Sequence, residues 1–346
     1  DPEAQLLFAG DLISPSIESS VFRGAQMIDG LNALGVSAAV LGNHEFDFGP
    51  AVLQERLAES RFPWLGTNVY QADFSRVPRL HTTLAGRVRG IDIGYFGLLT
   101  RDTLVSSSPG PNIRVMDEVG TARAIVPILQ RNGARVIVAV THIHMHEDQQ
   151  ILRDVPGIHF IAGGHEHDPL RAMVGQALVA KAGSDARWLG VVRMRVTSDG
   201  RVMSIADELI PINESTPSDD AMAALVKRYT DRMSRELDVV IGRTSVPLDA
   251  RNAAVRGGES ALGNFIADVM RRAVDADVAI TNGGGIRTNA LFPAGEIKRR
   301  DVVSWLPFSN TIVKVRMTGE AIRAALENGV SQVEALGGRF PQVSGL

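Results

Sequence analysis

Four short apolar runs in the first half of the chain stop at residues able to ligate metals, and this repetition constrains the fold most. Gln5–Ala9 ends at Gly10-Asp11, and Val36–Leu41 ends at Gly42-Asn43-His44. Val136–Val140 ends at Thr141-His142, and Ile158–Ala162 ends at Gly163-Gly164-His165-Glu166-His167. Short β-branched runs alternating with helical patterns predict α/β layers. In such sheets ligands bind in the crevice beyond the carboxyl ends of the strands, so four such ends predict one shared site.

The chemistry of those ends is that of a metal centre. Six of the 8 histidines (His142, His144, His146, His159, His165 and His167) fall between positions 142 and 167. Neutral imidazole is the commonest metal ligand, and carboxylate oxygen accepts Mn, Fe, Mg or Zn. Asp11 can bridge two cations through its two oxygens, Asn43 offers a neutral carbonyl oxygen, and His142, His165 and His167 offer nitrogens. Two cations ~3.5–4 Å apart can activate a hydroxide and bind a phosphoryl oxygen. Taken singly, Asp11 could cap the next helix and Gly42-Asn43-His44 could be an ordinary turn; the order of all four ends carries the metal reading. His159, inside an apolar run, reads as a packed histidine, and His81 as a structural or surface one. A strand continuing through Thr141 to His146 would put His142, His144 and His146 on one face at period 2, whereas one ending near Thr141, the favoured reading, leaves only His142 in the site. Rival motifs (His-Glu-x-x-His, Gly-x-Ser-x-Gly, Walker A) do not occur.

Composition narrows the classes further. At 346 residues the chain suits about two domains. Its net charge of −3 gives no basic field for nucleic acid. The absence of cysteine excludes disulfides, zinc–thiolate sites and a thiol nucleophile. No apolar run reaches the ~18 residues of a membrane span. The abrupt start at Asp1-Pro2-Glu3-Ala4 and end at Ser344-Gly345-Leu346 read as truncated at both ends. Polar, turn-rich residues 213–220 form a linker, and Met222, Leu225, Val226, Tyr229, Met233 and Leu237 follow at helical spacing. The expected organisation is therefore a metal-binding catalytic domain over 1–212, a linker and bridging helix over 213–238, and a smaller α/β domain over 239–346. In the last part Leu262, Phe265, Ile266, Val269 and Met270 mark a helix, and Ala276–Thr281 a strand entering Asn282-Gly283-Gly284-Gly285-Ile286-Arg287.

The quoted segments, with Glu45-Phe46-Asp47-Phe48-Gly49 after His44, resemble the metallophosphoesterase domain of the 5′-nucleotidase family. That family also holds UDP-sugar hydrolases, 2′,3′-cyclic phosphodiesterases and thiosulfohydrolases. Asn282 to Arg287, Leu306-Pro307-Phe308-Ser309-Asn310-Thr311 and Pro341-Gln342-Val343-Ser344-Gly345 resemble its C-terminal substrate-binding domain. The resemblance implies an α-β-β-α sandwich followed by a linker helix and a smaller α/β domain. It implies two divalent ions (Mn, Zn, Co, Fe or Mg), with Asp11 as bridge, His167 on the first metal, and Asn43, His142 and His165 on the second. It makes His44 and Asp47 a catalytic dyad in which the carboxylate orients an imidazole that stabilises phosphoryl charge. Arg256 would contact phosphate; Asn282, Gly284 and Arg287 would line the substrate pocket, with glycine amides as an anion nest; Phe308 would stack a nucleobase. The implied activity is hydrolysis of phosphate monoesters, foremost nucleoside 5′-monophosphates, by a metal-activated hydroxide. Cyclic-nucleotide, UDP-sugar or thiosulfate-ester hydrolysis, or catalytically inactive nucleotide binding, are the alternatives. Periplasmic or extracellular placement is implied by the resemblance alone. Two departures stand out: the family's opening strand with its Asp-x-His ligands has no counterpart, nor has a second base-stacking aromatic after residue 346.

Overall fold

The computed structural model describes residues 1–308 and 310–346, with Glu236 described by its backbone only. Ser309, part of the sequence resemblance, lies outside the described residues. The chain divides into one unit of residues 1–14 and 22–227 and a second of residues 15–21 and 228–346. The division falls inside the amphipathic helix Asp220–Leu237, the helix read from the Met222 to Leu237 spacing. Pro15–Val21, remote in sequence, groups with the second unit.

The first unit is built around two main sheets, with two-stranded pairs Trp188–Val196/Val202–Pro211 and Val69–Gln71/Ile113–Val115 beside them. Leu7–Phe8, Ala38–Val40, Trp64–Leu65 and Leu80–His81 form a parallel sheet in that order. A six-stranded mixed sheet runs Pro169–Val174, Ala177–Ala182, Phe160–Gly163, Val136–His142, Ile91–Leu99, Thr83–Val88. Side chains alternate across each strand, so each sheet has two apolar faces to cover. Ala38, Val40 and Leu65 of the first sheet meet Tyr95, Val138, Val140 and Phe160 of the second in one cluster between the sheets. On the outer faces, Ile28 and Leu31 of helix Ala25–Leu34, with Leu53 and Leu57 of helix Gly49–Glu59, cover the first sheet. Ile125 and Leu129 of helix Glu118–Arg131, with Ile151 and Leu152 of helix Met145–Asp154, cover the second. The result is the four-layer α-β-β-α arrangement.

The strands are shorter or shifted relative to the apolar runs. Val36–Leu41 contributes only Ala38–Val40, whereas the run starting at Val136 stays in the sheet through His142. Both differences serve the same end, since the chain must leave the ladder where its polar residues turn into the site. In the second unit, helix Ala261–Ala273 buries Leu262 and Ile266 against Leu248, Val255, Ile286 and Trp305. Phe265 and Val269, assigned to that helix from spacing, are exposed on its other face. The expected strand at Ala276–Thr281 forms as Ala279–Asn282, pairing antiparallel with Pro341–Ser344.

Candidate metal and phosphoester site

Asp11 sits just beyond Leu7–Phe8 with φ 62, and His165 just beyond Phe160–Gly163 with φ 79. Non-glycine residues with positive φ cost of order 1–3 kcal/mol and persist where surrounding structure over-determines them. Glycines make the close approach possible. A Cβ on Gly10, itself at φ +89, would lie 2.5 Å from His142 Nδ1, and one on Gly164 would lie 2.2 Å from the Ala9 carbonyl oxygen. Larger residues at either position would push the strand ends apart.

The donor chemistry at these ends calls for a cation. His142 is buried, and its Nδ1 lies 2.7 Å from the Ala9 carbonyl oxygen, which can only accept. Nδ1 therefore carries the hydrogen, and in the neutral ring Nε2 is the nitrogen left to take a metal ion, the tautomer a metal ligand needs. That Nε2 faces Asp11 Oδ2 at 3.0 Å. A ring nitrogen and a carboxylate oxygen so close share a cation, either a proton or a metal ion. Asn43 Oδ1 is buried without a hydrogen-bond partner. Burial opposes charge on His142, but the Asp11 carboxylate outweighs it and raises the imidazole above its ordinary value. Burial also opposes ionisation of Asp11, yet His142 and the His44 N–H hold its carboxyl well below the usual range. His165 stands edge-on to His142 with ring centroids 5.1 Å apart. Burial, with His142 and His144 beside it, pulls His165 down to about 4, leaving a neutral imidazole free to ligate.

Among the described residues no group of three His, Asp or Glu side chains is arranged so that it could hold a metal ion. The structure brings His142 against Asp11 on one side and His165 on the other, and His167 is exposed. His144 packs edge-on to His165 at 4.4 Å and stacks on His146, closer to the site than the strand-end reading placed it. His159 Nδ1 accepts the Ile137 N–H, and His81 is exposed.

His44 and Asp47 lie on the short turn Asn43–Phe46 and the residue capping it. His44 Nδ1 is 2.7 Å from Asp47 Oδ2, and Asp47 Oδ1 accepts the Ser107 hydroxyl at 2.7 Å. Both carboxylate oxygens are thereby fixed, and so is the ring plane of His44. Ser107 gave no sequence signal, because it lies 60 residues away. Glu45 between them was read only as part of a motif. It is buried, and its carboxylate accepts the N–H groups of Asp11 (3.0 Å), Leu12, Ile13 (3.2 Å) and Gly42.

In the second unit, Arg287 lies over the Phe308 ring with its guanidinium carbon 5.6 Å from the centroid. Arg256 is partly buried, its Nε has no hydrogen-bond partner, and burial together with Arg287 lowers its guanidinium. Two mutually repelling guanidiniums beside an aromatic ring suit an anion carrying a flat group. The glycine turn departs from the expected anion nest. Gly283 N–H donates to the Phe340 carbonyl at 2.7 Å and Gly284 N–H to the Gly338 carbonyl at 2.8 Å, so neither is available to an anion. Asn282 Nδ2 also bonds the Gly338 carbonyl, at 3.2 Å. Gly284 is explained by the close approach of that backbone: a Cβ there would meet the Gly338 oxygen at 2.7 Å.

Residues 2–169 match the calcineurin-like phosphoesterase family, and residues 240–346 match the 5′-nucleotidase C-terminal domain. A 5′-nucleotidase precursor from Thermus thermophilus has the same fold, with TM-score 0.88 and 32% identity over 99% of this chain and 72% of that one. The chain belongs to the 5′-nucleotidase family. Its relatives include the trifunctional nucleotide phosphoesterase protein YfkN of Bacillus subtilis, 34% identical over 99% of this chain and 26% of that protein. A 5′-nucleotidase of Diplobatis ommata is 30% identical over 100% of this chain and 66% of its own length. The chain thus spans about a quarter of the first of these curated relatives and about two thirds of the second. The family is one of phosphoric ester hydrolases that use divalent metal ions. No helix among the described residues is long and apolar enough to cross a membrane.

Proposed function

We propose that this chain is the catalytic part of a metal-dependent phosphomonoesterase acting on nucleoside 5′-monophosphates. The observation that carries the metal reading is the 3.0 Å approach of the buried His142 Nε2 to Asp11 Oδ2, with the Asn43 oxygen buried and unpartnered on the turn before His44. Asp11, Asn43, His142 and His165 would hold the metal, with His167 as a further ligand. A bound divalent ion supplies positive charge to the phosphoryl oxygens and makes water a competent nucleophile at neutral pH.

The chain's own residues do the rest. The Ala9 carbonyl fixes the His142 tautomer, and Glu45 holds the Gly10–Asp11 and Gly42–Asn43 turns against each other. Asp47, pinned by Ser107, orients His44 so that its Nε2 can donate to the phosphoryl or leaving oxygen. Arg256 and Arg287 would bind the anion, and Phe308 would stack the base. The names of the Thermus and Diplobatis relatives support nucleotides over other phosphate esters.

The test is a panel of AMP, UDP-glucose, 2′,3′-cyclic AMP and p-nitrophenyl phosphate with Mn²⁺, Co²⁺ and Mg²⁺, using full-length protein and Asp11→Ala. AMP should be hydrolysed best, and Asp11→Ala should hydrolyse nothing. An Asp11→Ala protein with full activity and metal content would refute the assignment.

A further inference from the structure

Lys181, in the strand Ala177–Ala182, is buried, with 0% of its side chain exposed. Lysines are almost never so buried unless paired. An ammonium has three hydrogens, and here they go to the Ile143 carbonyl (2.6 Å), the Gly164 carbonyl (2.8 Å) and a Glu166 carboxylate oxygen. Asp148 Oδ2 is also 3.0 Å from Nζ, but no hydrogen is left for it, and it has no hydrogen-bond partner. Burial pushes the Asp148 carboxyl up to about 6.

The acceptors come from the two histidine-bearing segments. Ile143 follows His142, and Gly164 and Glu166 flank His165 on either side. Glu166 also accepts the Met145 N–H at 2.6 Å, and Asp148 accepts the Thr141 hydroxyl at 2.7 Å. One cation therefore ties the backbone after one histidine to the backbone around the other. The positive φ of His165 lies between the two residues it grips.

We infer that Lys181 is a positioning residue, a buried clamp that sets the His142 and His165 segments at the separation their metal requires. The inference rests on the metal reading above. Removing the ammonium would leave the Ile143 and Gly164 carbonyls and one Glu166 oxygen without their donor and Asp148 without a neighbouring positive charge, so the segments would relax apart. Second-sphere partners of metal ligands are typically worth about 10- to 100-fold in metal affinity.

The experiment measures Co²⁺ affinity and the visible Co²⁺ spectrum, together with thermal unfolding, for wild type, Lys181→Met, Glu166→Gln and Leu178→Ala. Leu178 is buried in the same strand but belongs to the cluster between the sheets, so its truncation costs stability without touching the clamp. Lys181→Met should bind Co²⁺ about 10- to 100-fold more weakly with an altered spectrum. Glu166→Gln, a milder change, should shift both in the same direction and stands in if Lys181→Met does not fold. Leu178→Ala should melt earlier yet keep wild-type affinity. Wild-type affinity and spectrum in a folded Lys181→Met, or in Glu166→Gln if it alone folds, would overturn the inference. So would an equal loss in Leu178→Ala. A wild type that binds no Co²⁺ would instead remove the metal reading, and this inference with it.

Discussion

Replacing Glu45 by glutamine tests whether one buried carboxylate organises the site. Oε1 accepts the N–H groups of Leu12 and Ile13, and Oε2 accepts those of Asp11 and Gly42. Glutamine keeps one oxygen and turns an NH₂ toward the other two donors, so two charge-assisted bonds are lost. At about 1.5–3 kcal/mol each, the expected loss is about 3–6 kcal/mol. That is a large part of the roughly 5–15 kcal/mol typical of a folded domain. Equilibrium urea unfolding of the full chain, with fluorescence and circular dichroism as paired probes, reads it directly. Burial, and then the Asp11 charge, outweigh the N–H bonds and raise the Glu45 carboxyl above its ordinary value. If that rise were enough to protonate Glu45 in the fold, glutamine would replace it at little cost. A loss below about 1 kcal/mol would therefore refute the anchoring argument.

Three further outcomes are expected. His44→Asn should keep its metal and lose roughly 10²–10⁴-fold in kcat, and metal loss would move His44 into the ligand set. Phe308→Ala should lower kcat/KM for AMP by roughly 5- to 150-fold, the ~1–3 kcal/mol of one base stack, and leave p-nitrophenyl phosphate nearly unchanged. Equal losses on both substrates with a lower Tm would make Phe308 a packing residue. Burial pushes Tyr95 up to about 12 from 10.0, so the unfolded chain ionises first and stability falls as pH rises from 10 to 12. The loss should stay below the ~2.7 kcal/mol of a fully dry phenol. Tyr95→Phe should abolish that slope, and an unchanged slope would contradict it.

What the sequence disclosed was whatever is local in the chain. Gly-Asp, Gly-Asn-His and Gly-His-x-His each follow an apolar run directly, so strand, turn and donor are legible together, as is the three-residue spacing of His44 and Asp47. What it concealed depends on contacts between distant segments. Glu45 looks like any acidic helix-start residue until the backbone 33 positions away is folded onto it. Lys181 sits in an otherwise apolar strand, and its meaning lies in the two segments that supply its acceptors. The engagement of the Gly283 and Gly284 amides was hidden for the same reason, because their acceptors lie in the distant segment Gly338 to Phe340.

The central claim is a divalent ion between His142 Nε2 and Asp11. Crystals of the full-length protein grown with Mn²⁺, with anomalous differences recorded at the manganese edge, locate that ion without reference to activity. The expected result is an anomalous peak within bonding distance, about 2.0–2.3 Å, of Asp11, Asn43, His142 and His165. Loaded crystals with manganese only elsewhere, and the imidazole still paired with Asp11 through a proton, would contradict it.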